Sequence, residues 1–227
     1  MVTVSNDERS AVCRGAGLRF LPEPDVLEHA WEQDCVCAIL DDGEVARPLA
    51  EVLAGRGWRV VVVSLDLADA SSWRASLGAA GRITAFIDIH PATASPGADL
   101  LWSDVEEARV KASFLLAGHL KQSLVGAGAS RAWYTVVTRV DGQLGLAASP
   151  KVSGLVTAGV AALAKTLAQE WPAVHCRAID LDPAMDQATA ARLIAGEMLD
   201  PDATIVEVGH GLAGRCTIAA TEAVPNG

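Results

Sequence analysis

The turn Asp41-Asp42-Gly43-Glu44 holds the residues whose chemistry follows most directly from their position. It comes after an apolar run of strand length and before a segment of helical period. A phosphate-binding turn at this point carries several glycines, because the backbone must approach the phosphates and present the N-terminus of the helix to them. This turn has one glycine and three carboxylates, and each carboxylate within ~5 Å of a phosphate costs on the order of a kcal/mol or more. We predict that these acids cap the helix and that the turn binds no cofactor.

Cys35 and Cys37 stand two residues apart on a predicted strand, so both side chains point to the same face of it. A metal site needs several ligands, and the chain has no second pair of Cys or His at ligand spacing. The histidines likewise form no cluster of the HxxxH type. We therefore predict buried cysteines in a reducing compartment, and no metal site.

Tyr134 is the only tyrosine, and its position excludes one kind of acid catalysis. In one arrangement for acid catalysis by a phenol, a lysine stands four residues later on the same helix, where its ammonium lowers the pKa of the phenol. Tyr134 lies instead within a predicted strand, residues 132–138. It therefore cannot occupy the tyrosine position of such a helix.

The composition limits the classes of function. The chain has 227 residues, of which 51% are hydrophobic and 20% charged, and a net charge of -10. This length and apolar content predict one sizeable core. The acidic charge argues against nucleic acid or an anionic membrane as a partner, because a surface that follows phosphates needs clustered Lys and Arg. No apolar stretch approaches the roughly 20 residues of a membrane span, and residues 2–7 do not resemble a signal peptide, so we expect a cytoplasmic protein.

Apolar runs of strand length alternate with segments of helical period, a pattern typical of a parallel sheet covered by helices. We predict strands at residues 35–40, 59–65, 83–89, 132–138, 175–181, 205–208 and 214–221. We predict helices from residue 44, at 71–80, at 103–125, up to residue 171, and at 187–199 with Asp186 as the cap. The predicted fold class is α/β, a Rossmann-like, doubly wound parallel sheet with a degenerate cofactor turn.

Some of these elements also carry expectations about burial. Four consecutive valines, Val60–Val63, predict a strand buried on both faces. On the long helix, the spacing places Phe114 inward together with Ala117 and Leu120. On the next helix, Gly159 lies on the predicted buried line, where a glycine would let the helix approach the sheet closely.

The two ends of the chain differ from the middle. Prolines and a polar start predict a lead-in segment over residues 1–34, with residues 18–21 as an edge strand. Residues 35–221 are expected to form the Rossmann-like domain, and residues 222–227 a tail or a linker.

Five short motifs together resemble one protein family. They are Ile39-Leu40-Asp41-Asp42-Gly43, Gly57-Trp58-Arg59-Val60, Val137-Thr138-Arg139-Val140-Asp141-Gly142, Lys165-Thr166-Leu167-Ala168-Gln169-Glu170-Trp171 and Cys176-Arg177-Ala178-Ile179-Asp180. From about residue 18 to residue 221, the chain looks like the structural subdomain of the ketoreductase of polyunsaturated fatty acid synthases and type I polyketide synthases. Such ketoreductases resemble two short-chain dehydrogenase/reductase folds in tandem, of which the first has lost catalysis and the second carries NADPH.

The resemblance implies where catalytic residues would stand. Counting back from Glu170 by the spacing of the family places Ser153 at the position of the tyrosine and Thr157 at that of the lysine. Neither can replace them, because an unassisted serine hydroxyl is a very weak acid and threonine carries no charge. Thr138 stands where the family places a catalytic serine, and Lys111 lies on the long helix near a lysine of polyketide ketoreductases. These last two residues are the candidates that remain for catalysis.

The resemblance implies a supporting, noncatalytic role. The partner would be a catalytic subdomain that holds NADPH and reduces β-ketoacyl chains on an acyl carrier protein of the same synthase. We expect this chain to present an apolar surface to that partner near residues 18–21 or 214–221. Two alternatives stay open, namely a divergent short-chain reductase that acts alone through Lys111 and Thr138, and a stand-alone pseudo-reductase that binds an acyl or protein partner.

Overall fold

The computed structural model describes residues 15–26, 35–67, 69–92, 103–127, 131–147 and 155–221. These residues contain eight strands and five helices. The strands are Ala16–Phe20 (β1), Cys35–Leu40 (β2), Val60–Val63 (β3), Arg82–Ile89 (β4), Ala132–Thr138 (β5), Val174–Leu181 (β6), Glu207–Gly211 (β7) and Gly214–Ala220 (β8). The helices are Ala46–Ala54 (α1), Ala70–Ala80 (α2), Asp104–Val125 (α3), Leu155–Glu170 (α4) and Gln187–Leu199 (α5).

All of these strands form one sheet in the order β1-β8-β7-β6-β5-β4-β2-β3. Strands β2 to β7 are parallel to one another, whereas β8 and β1 add an antiparallel edge. From β2 the chain winds outward to β3 and then returns to β4 on the opposite side of β2. In open α/β sheets such a reversal creates a crevice at the carboxyl ends of the strands, where ligands bind. The predicted α/β, Rossmann-like class is confirmed.

Helices cover both faces of the sheet because its strands are apolar on both sides. On β2, Val36, Ala38 and Leu40 face a core completed by α2, α3 and α4. Cys37 and Ile39 face a second core, completed by α1 and α5. Among the described helices, none combines the length and the apolar composition that a membrane span requires.

The burial expectations at three positions are wrong. Strand β3 is the outermost strand of the sheet, and Val60–Val62 are only partly buried. Phe114 is 67% exposed, because α3 turns Leu116 and Leu120 toward the core. Gly159 is exposed, and a Cβ added there would meet nothing within 4 Å, so α4 makes no close approach to the sheet at this point.

A buried ionic cluster joins the added antiparallel edge to the rest of the sheet. Its members, here called the C-terminal cluster, are Arg177, Glu197, Asp200, His210 and Arg215. Glu197 Oε1 lies 2.8 Å from His210 Nε2 and accepts a hydrogen bond from Arg215 Nε at 2.6 Å. Glu197 Oε2 accepts hydrogen bonds from Arg177 Nη1 at 2.7 Å and Arg215 Nη2 at 2.9 Å.

The C-terminal cluster also explains how the lead-in segment is held. Arg215 lies on β8, and its Nη1 donates to the carbonyl oxygen of Pro22 at 2.9 Å. Its Nη2 lies 2.6 Å from Asp200 Oδ2. Burial alone would raise the pKa of Glu197, but hydrogen bonds from His210 and Arg215 lower it to about 2. The carboxylate is therefore ionised at neutral pH, and the cluster is an ion network.

Candidate functional site

The crevice between β2 and β4 opens at the carboxyl ends of the parallel strands. It has a volume of about 250 Å³. The residues that line it are Asp41, Asp42, Leu65, Leu67, His90, Pro91, Val105, Glu106 and Arg109. They come from the turns after β2, β3 and β4 and from the first two turns of α3, so the reversal of winding brings them together.

The N-terminus of α1 faces this crevice, and the chain's own acids occupy it. Asp42 Oδ1 accepts hydrogen bonds from the backbone N–H groups of Glu44 at 3.1 Å, Val45 at 2.8 Å and Ala46 at 2.9 Å. Asp41 Oδ1 accepts from the N–H of Gly43 at 2.9 Å. These are the groups that would otherwise bind a phosphate. Asp42 thus caps the N-terminus of α1, whereas Asp41 closes the turn that precedes the helix.

The same turn depends on its one glycine. Gly43 has a φ of 82°, in the left-handed region that other residues seldom adopt. This conformation lets the turn fold back so that Asp42 reaches the helix N-terminus. Glu44, the third acid, is half exposed, and its Oε2 lies 3.5 Å from Arg139 Nη1. Asp42 therefore occupies the α1 N-terminus, and the described residues of this turn do not fit the pyrophosphate of NADPH.

A second buried polar group lies at the end of β4. It consists of Asp88, His90, Arg109 and Ser113, here called the crevice cluster. Arg109 Nη2 donates to Asp88 Oδ1 at 2.6 Å and to the carbonyl oxygen of Ile89 at 3.0 Å. His90 Nε2 lies 3.5 Å from Asp88 Oδ2 and 3.3 Å from Ser113 Oγ. Burial alone would raise the pKa of Asp88, but the Arg109 guanidinium and His90 hold it well below its usual range.

Sequence reasoning gave no role to the crevice cluster. The residue that could have indicated this cluster from the sequence is Asp88, a charged residue in the largely apolar strand β4. A charge in a buried strand needs a partner, and the partner here is Arg109 on the following helix. That pairing depends on how α3 returns over the sheet, which the sequence does not show.

A different group of acids shapes the ends of β5 and β6. Asp180 Oδ1 accepts hydrogen bonds from Thr138 Oγ1 at 3.0 Å and the N–H of Val140 at 2.8 Å. Asp180 Oδ2 accepts from the N–H of Leu144 at 3.0 Å. Burial raises the pKa of Asp180, and the neighbouring carboxyl of Asp141 raises it further. Asp180 therefore holds residues 139–147, here called the 139–147 loop, against the strand ends.

The 139–147 loop packs tightly against the end of β7. Gly142 has a φ of 69°, and a Cβ added there would lie 2.8 Å from both Asp182 N and Gly211 Cα. Leu144 also has a positive φ, 59°, which is uncommon for a residue other than glycine. The loop thus covers the carboxyl ends of β6 and β7, next to Thr138, which stands where the resemblance implies a catalytic serine.

The structure places the two catalytic candidates in separate environments. Thr138 is buried at the end of β5, and its hydroxyl is bonded to Asp180. Lys111 lies on the outer side of α3 with its side chain 69% exposed, and forms an ion pair with Glu107 one turn earlier. Ser153 lies outside the described residues, and Thr157 falls within α4.

The remaining residues singled out from the sequence are buried. Tyr134 packs against Phe86 and Trp171, with ring centroids 5.7 Å and 5.9 Å away. Burial and the nearby Asp88 carboxylate raise its pKa well above the usual value. Cys35 and Cys37 are buried thiols, and burial raises the pKa of Cys37. Among the described residues, no three His, Cys, Asp or Glu side chains are grouped so that they could hold a metal ion.

Comparisons with known proteins establish the fold. No protein-family model matches the chain, and no curated protein matches it. A crystal structure of a small-chain dehydrogenase aligns with a TM-score of 0.59 at 18% identity, over 79% of this chain and 98% of that one. An acetoin dehydrogenase from Salmonella typhimurium aligns with a TM-score of 0.58 at 14% identity, over 77% of this chain and 94% of that one. A short-chain dehydrogenase from Rhodopseudomonas palustris gives 0.54 at 16% identity, over 78% and 97% of the two chains. The chain therefore has a fold like that of short-chain dehydrogenases/reductases.

Proposed function

We propose that this chain is the noncatalytic structural subdomain of a β-ketoacyl reductase in a polyketide or polyunsaturated fatty acid synthase. The observation that carries the proposal is the α1 N-terminus, where Asp42 accepts the N–H bonds that a cofactor phosphate would need. A phosphate brought to this turn would meet three carboxylates. At an intermediate effective dielectric, each one within ~5 Å costs on the order of a kcal/mol or more.

The catalytic side of the fold supports the same proposal. The only tyrosine is buried among aromatic rings in β5 and cannot reach a substrate. The 139–147 loop covers the strand ends nearby. The sheet and helices of the fold are present, but the chain's own groups fill both the turn after β2 and the strand ends next to Thr138. Such a fold is suited to support another domain.

The partner in this proposal is a catalytic subdomain with the same general fold. It would hold NADPH and reduce β-ketoacyl chains bound to an acyl carrier protein. Apolar surface is present near the expected junction, since Phe20 on β1 is 57% exposed and Leu212 in the β7–β8 turn is 98% exposed. These two exposed side chains are the apolar groups that the proposed contact would cover.

Two measurements test the proposal. First, NADPH oxidation with a β-ketoacyl thioester is followed for the chain alone and for the chain co-expressed with a catalytic ketoreductase half. We expect no turnover by the chain alone, and a complex of the two halves that is active and stable. Turnover by the chain alone that is lost in Lys111→Ala would favour the divergent reductase instead.

The second measurement locates the contact. Phe20→Asp is expected to weaken the complex by at least about tenfold, or 1.4 kcal/mol. Phe114→Asp, at a phenylalanine on α3 that is 67% exposed, is the matched control and is expected to leave the affinity unchanged. If wild-type chain and catalytic half do not form a complex at all, the stand-alone pseudo-reductase becomes the better account.

A further inference from the structure

Strand β1 is the outermost strand on its side of the sheet, and it pairs with β8 through an unbroken antiparallel register. The residue pairs that flank β1 are hydrogen-bonded, since Leu21 N donates to Arg215 O at 2.9 Å and Thr221 N donates to Gly15 O at 2.8 Å. Hydrogen-bonded and non-hydrogen-bonded pairs alternate along an antiparallel ladder, so the odd-numbered residues of β1 bond to β8. The backbone N–H and C=O groups of its even-numbered residues therefore point away from β8.

These outward groups belong to Ala16, Leu18 and Phe20, and within the described residues no strand lies beyond them. Such a row of backbone groups is a template on which another strand can add. Proteins commonly protect an exposed edge with a proline or a bulge, and β1 has neither. Its one charged residue, Arg19, lines the same cavity as Asp202, so a carboxylate of its own chain is close to the cation. The edge of β1 is therefore suited to pair with a further strand.

The sequence of β1 matches a second copy of itself in one antiparallel register. When Leu18 lies opposite its counterpart, Ala16 lies opposite Phe20, so a small side chain faces a large one on the same face of the sheet. Gly17 then lies opposite Arg19, and the two arginines are kept apart. A shift of the register that places Arg19 opposite its counterpart is disfavoured, because like charges directly opposite one another are destabilising.

We infer that the isolated chain forms a symmetric dimer in which the outer edges of two β1 strands pair antiparallel, centred on Leu18. The two Leu18 residues exchange N–H to C=O hydrogen bonds, and Ala16 of each copy does the same with Phe20 of the other. The contact is isologous, so association stops at the dimer. It is also small, so the dimer is expected to be weak and reversible. The inference goes beyond the proposed function, and because Phe20 takes part in both contacts, a second copy and a catalytic half exclude one another.

Sedimentation equilibrium on the isolated chain measures the association. The expected result is a reversible monomer–dimer equilibrium with a dissociation constant of about 100 µM or tighter. Leu18→Pro removes the central N–H donor from each copy and is expected to weaken the dimer at least about tenfold. Because the N–H of Leu18 points away from β8, this proline leaves the pairing of β1 within the chain intact. Leu18→Val is the matched control, since it keeps the N–H and an apolar side chain, and it is expected to change the affinity by less than about threefold.

Hydrogen exchange on the wild type keeps the inference falsifiable if Leu18→Pro does not fold. The N–H groups of Ala16, Leu18 and Phe20 are expected to exchange at least about tenfold more slowly in a concentrated solution than in a dilute one. Those of Gly17 and Arg19, which bond to β8 within one chain, are expected to exchange equally in both.

Three results would overturn the inference. They are a chain that stays monomeric at about 1 mM, a dimer that Leu18→Pro leaves unchanged, and outward N–H groups that are equally protected at every concentration. The last result would mean that another part of the same chain covers the edge of β1.

The dimer and the proposed function fail separately. A monomeric chain that still forms an active complex with a catalytic half would overturn the dimer alone. A chain that dimerises as described but has no affinity for a catalytic half would overturn the proposed function alone.

Discussion

The C-terminal cluster and the crevice cluster are both buried and ionic, but their polar atoms are paired to very different degrees. In the C-terminal cluster both oxygens of Glu197 are paired with cationic or imidazole partners, and Arg177 Nε is the one buried side-chain atom without a hydrogen-bond partner among the described residues. In the crevice cluster Asp88 Oδ2, His90 Nδ1 and Arg109 Nη1 have no hydrogen-bond partner among the described residues. The more completely paired network lies inside the fold, whereas the less completely paired one lies beside the crevice.

The difference follows from what each cluster joins. The C-terminal cluster connects β6, α5, β7 and β8 with the lead-in segment, and all its members lie under 9% exposure. The crevice cluster joins β4 to α3 at an opening of the sheet, and the Arg109 side chain is 12% exposed. The first should therefore dominate stability, and the second should tolerate change more easily.

Removal of the central acid of each cluster should have the largest effect. Glu197→Ala is expected to lower the free energy of unfolding by about 3–5 kcal/mol, because it leaves buried cations unpaired. Asp88→Ala is expected to cost less, about 1–3 kcal/mol, since Arg109 can turn toward the crevice. Urea unfolding measures both. Glu51→Ala, an exposed glutamate of α1, is the control, with an expected change within about 0.5 kcal/mol.

Equal losses of unfolding free energy in Glu197→Ala and Asp88→Ala would contradict the comparison, because both clusters would then contribute equally to stability. If Glu197→Ala does not fold, Glu197→Gln provides the comparison with Asp88→Asn. The order of the two effects is expected to stay the same.

The acid sensitivity of folding should depend on Glu197 of the C-terminal cluster as well as on Asp88, whose pKa is also held well below its usual range. The pKa of Glu197 is lowered in the fold to about 2 from 4.5, so its contribution is present above the unfolded value and is lost as the pH falls. Between about pH 5 and pH 2 this amounts to roughly 3 kcal/mol. Urea midpoints measured across that range should fall steeply for the wild type and less steeply for Glu197→Gln. Parallel curves for the two proteins would show that Glu197 does not control the transition.

The 139–147 loop offers a test of backbone packing. Gly142→Ala is expected to destabilise the chain by about 2 kcal/mol, because the residue has a positive φ and its Cβ would collide with Asp182 N and Gly211 Cα. Gly159→Ala is the matched control in the exposed part of α4, and it is expected to stabilise by up to about 1 kcal/mol. Thermal unfolding of both variants checks the contrast. A loss of stability in Gly159→Ala would instead support the close approach of α4 to the sheet that the sequence predicts.

The sequence predicted the central strands well because each of them is a separate apolar run, whereas the strand predicted at residues 205–208 overlaps β7 only at its start, since β7 is not an apolar run. Residues 35–40 and 132–138 coincide with β2 and β5, and α5 begins and ends where its pattern and the Asp186 cap predict. The edge position of β3 was missed, because four valines look the same in a central strand and in an edge strand. Phe114 was placed inward because α3 has apolar residues around much of its circumference, and only packing against α4 decides which of them are buried.

The clusters could not be predicted for a related reason. Glu197 contacts Arg177 and Arg215, which lie 20 and 18 residues away along the chain. These sequence separations match no spacing rule within a helix or a strand. The acidic turn was readable from the sequence because capping is a local interaction that depends on position within the first helical turn. Local rules therefore give the elements and their ends, and tertiary packing gives the pairs.

Lys111 should show the smallest effect of all. Its ion pair with Glu107 is exposed and has the (i, i+4) arrangement, and such pairs contribute about 0.3–0.5 kcal/mol. Lys111→Ala is expected to change the free energy of unfolding by no more than that, and to leave the activity of a complex with a catalytic half unchanged. Urea unfolding and an NADPH oxidation assay provide the two readouts. A large loss of activity in the complex would return Lys111 to the list of catalytic residues.

Titration of the isolated chain with NADPH tests the central claim most directly. The account predicts a dissociation constant no tighter than about millimolar, which corresponds to about 4 kcal/mol of binding free energy, because Asp42 occupies the α1 N-terminus and the neighbouring carboxylates repel phosphate. Fluorescence or calorimetry measures it. A dissociation constant in the micromolar range would contradict the claim that the turn after β2 does not bind the cofactor.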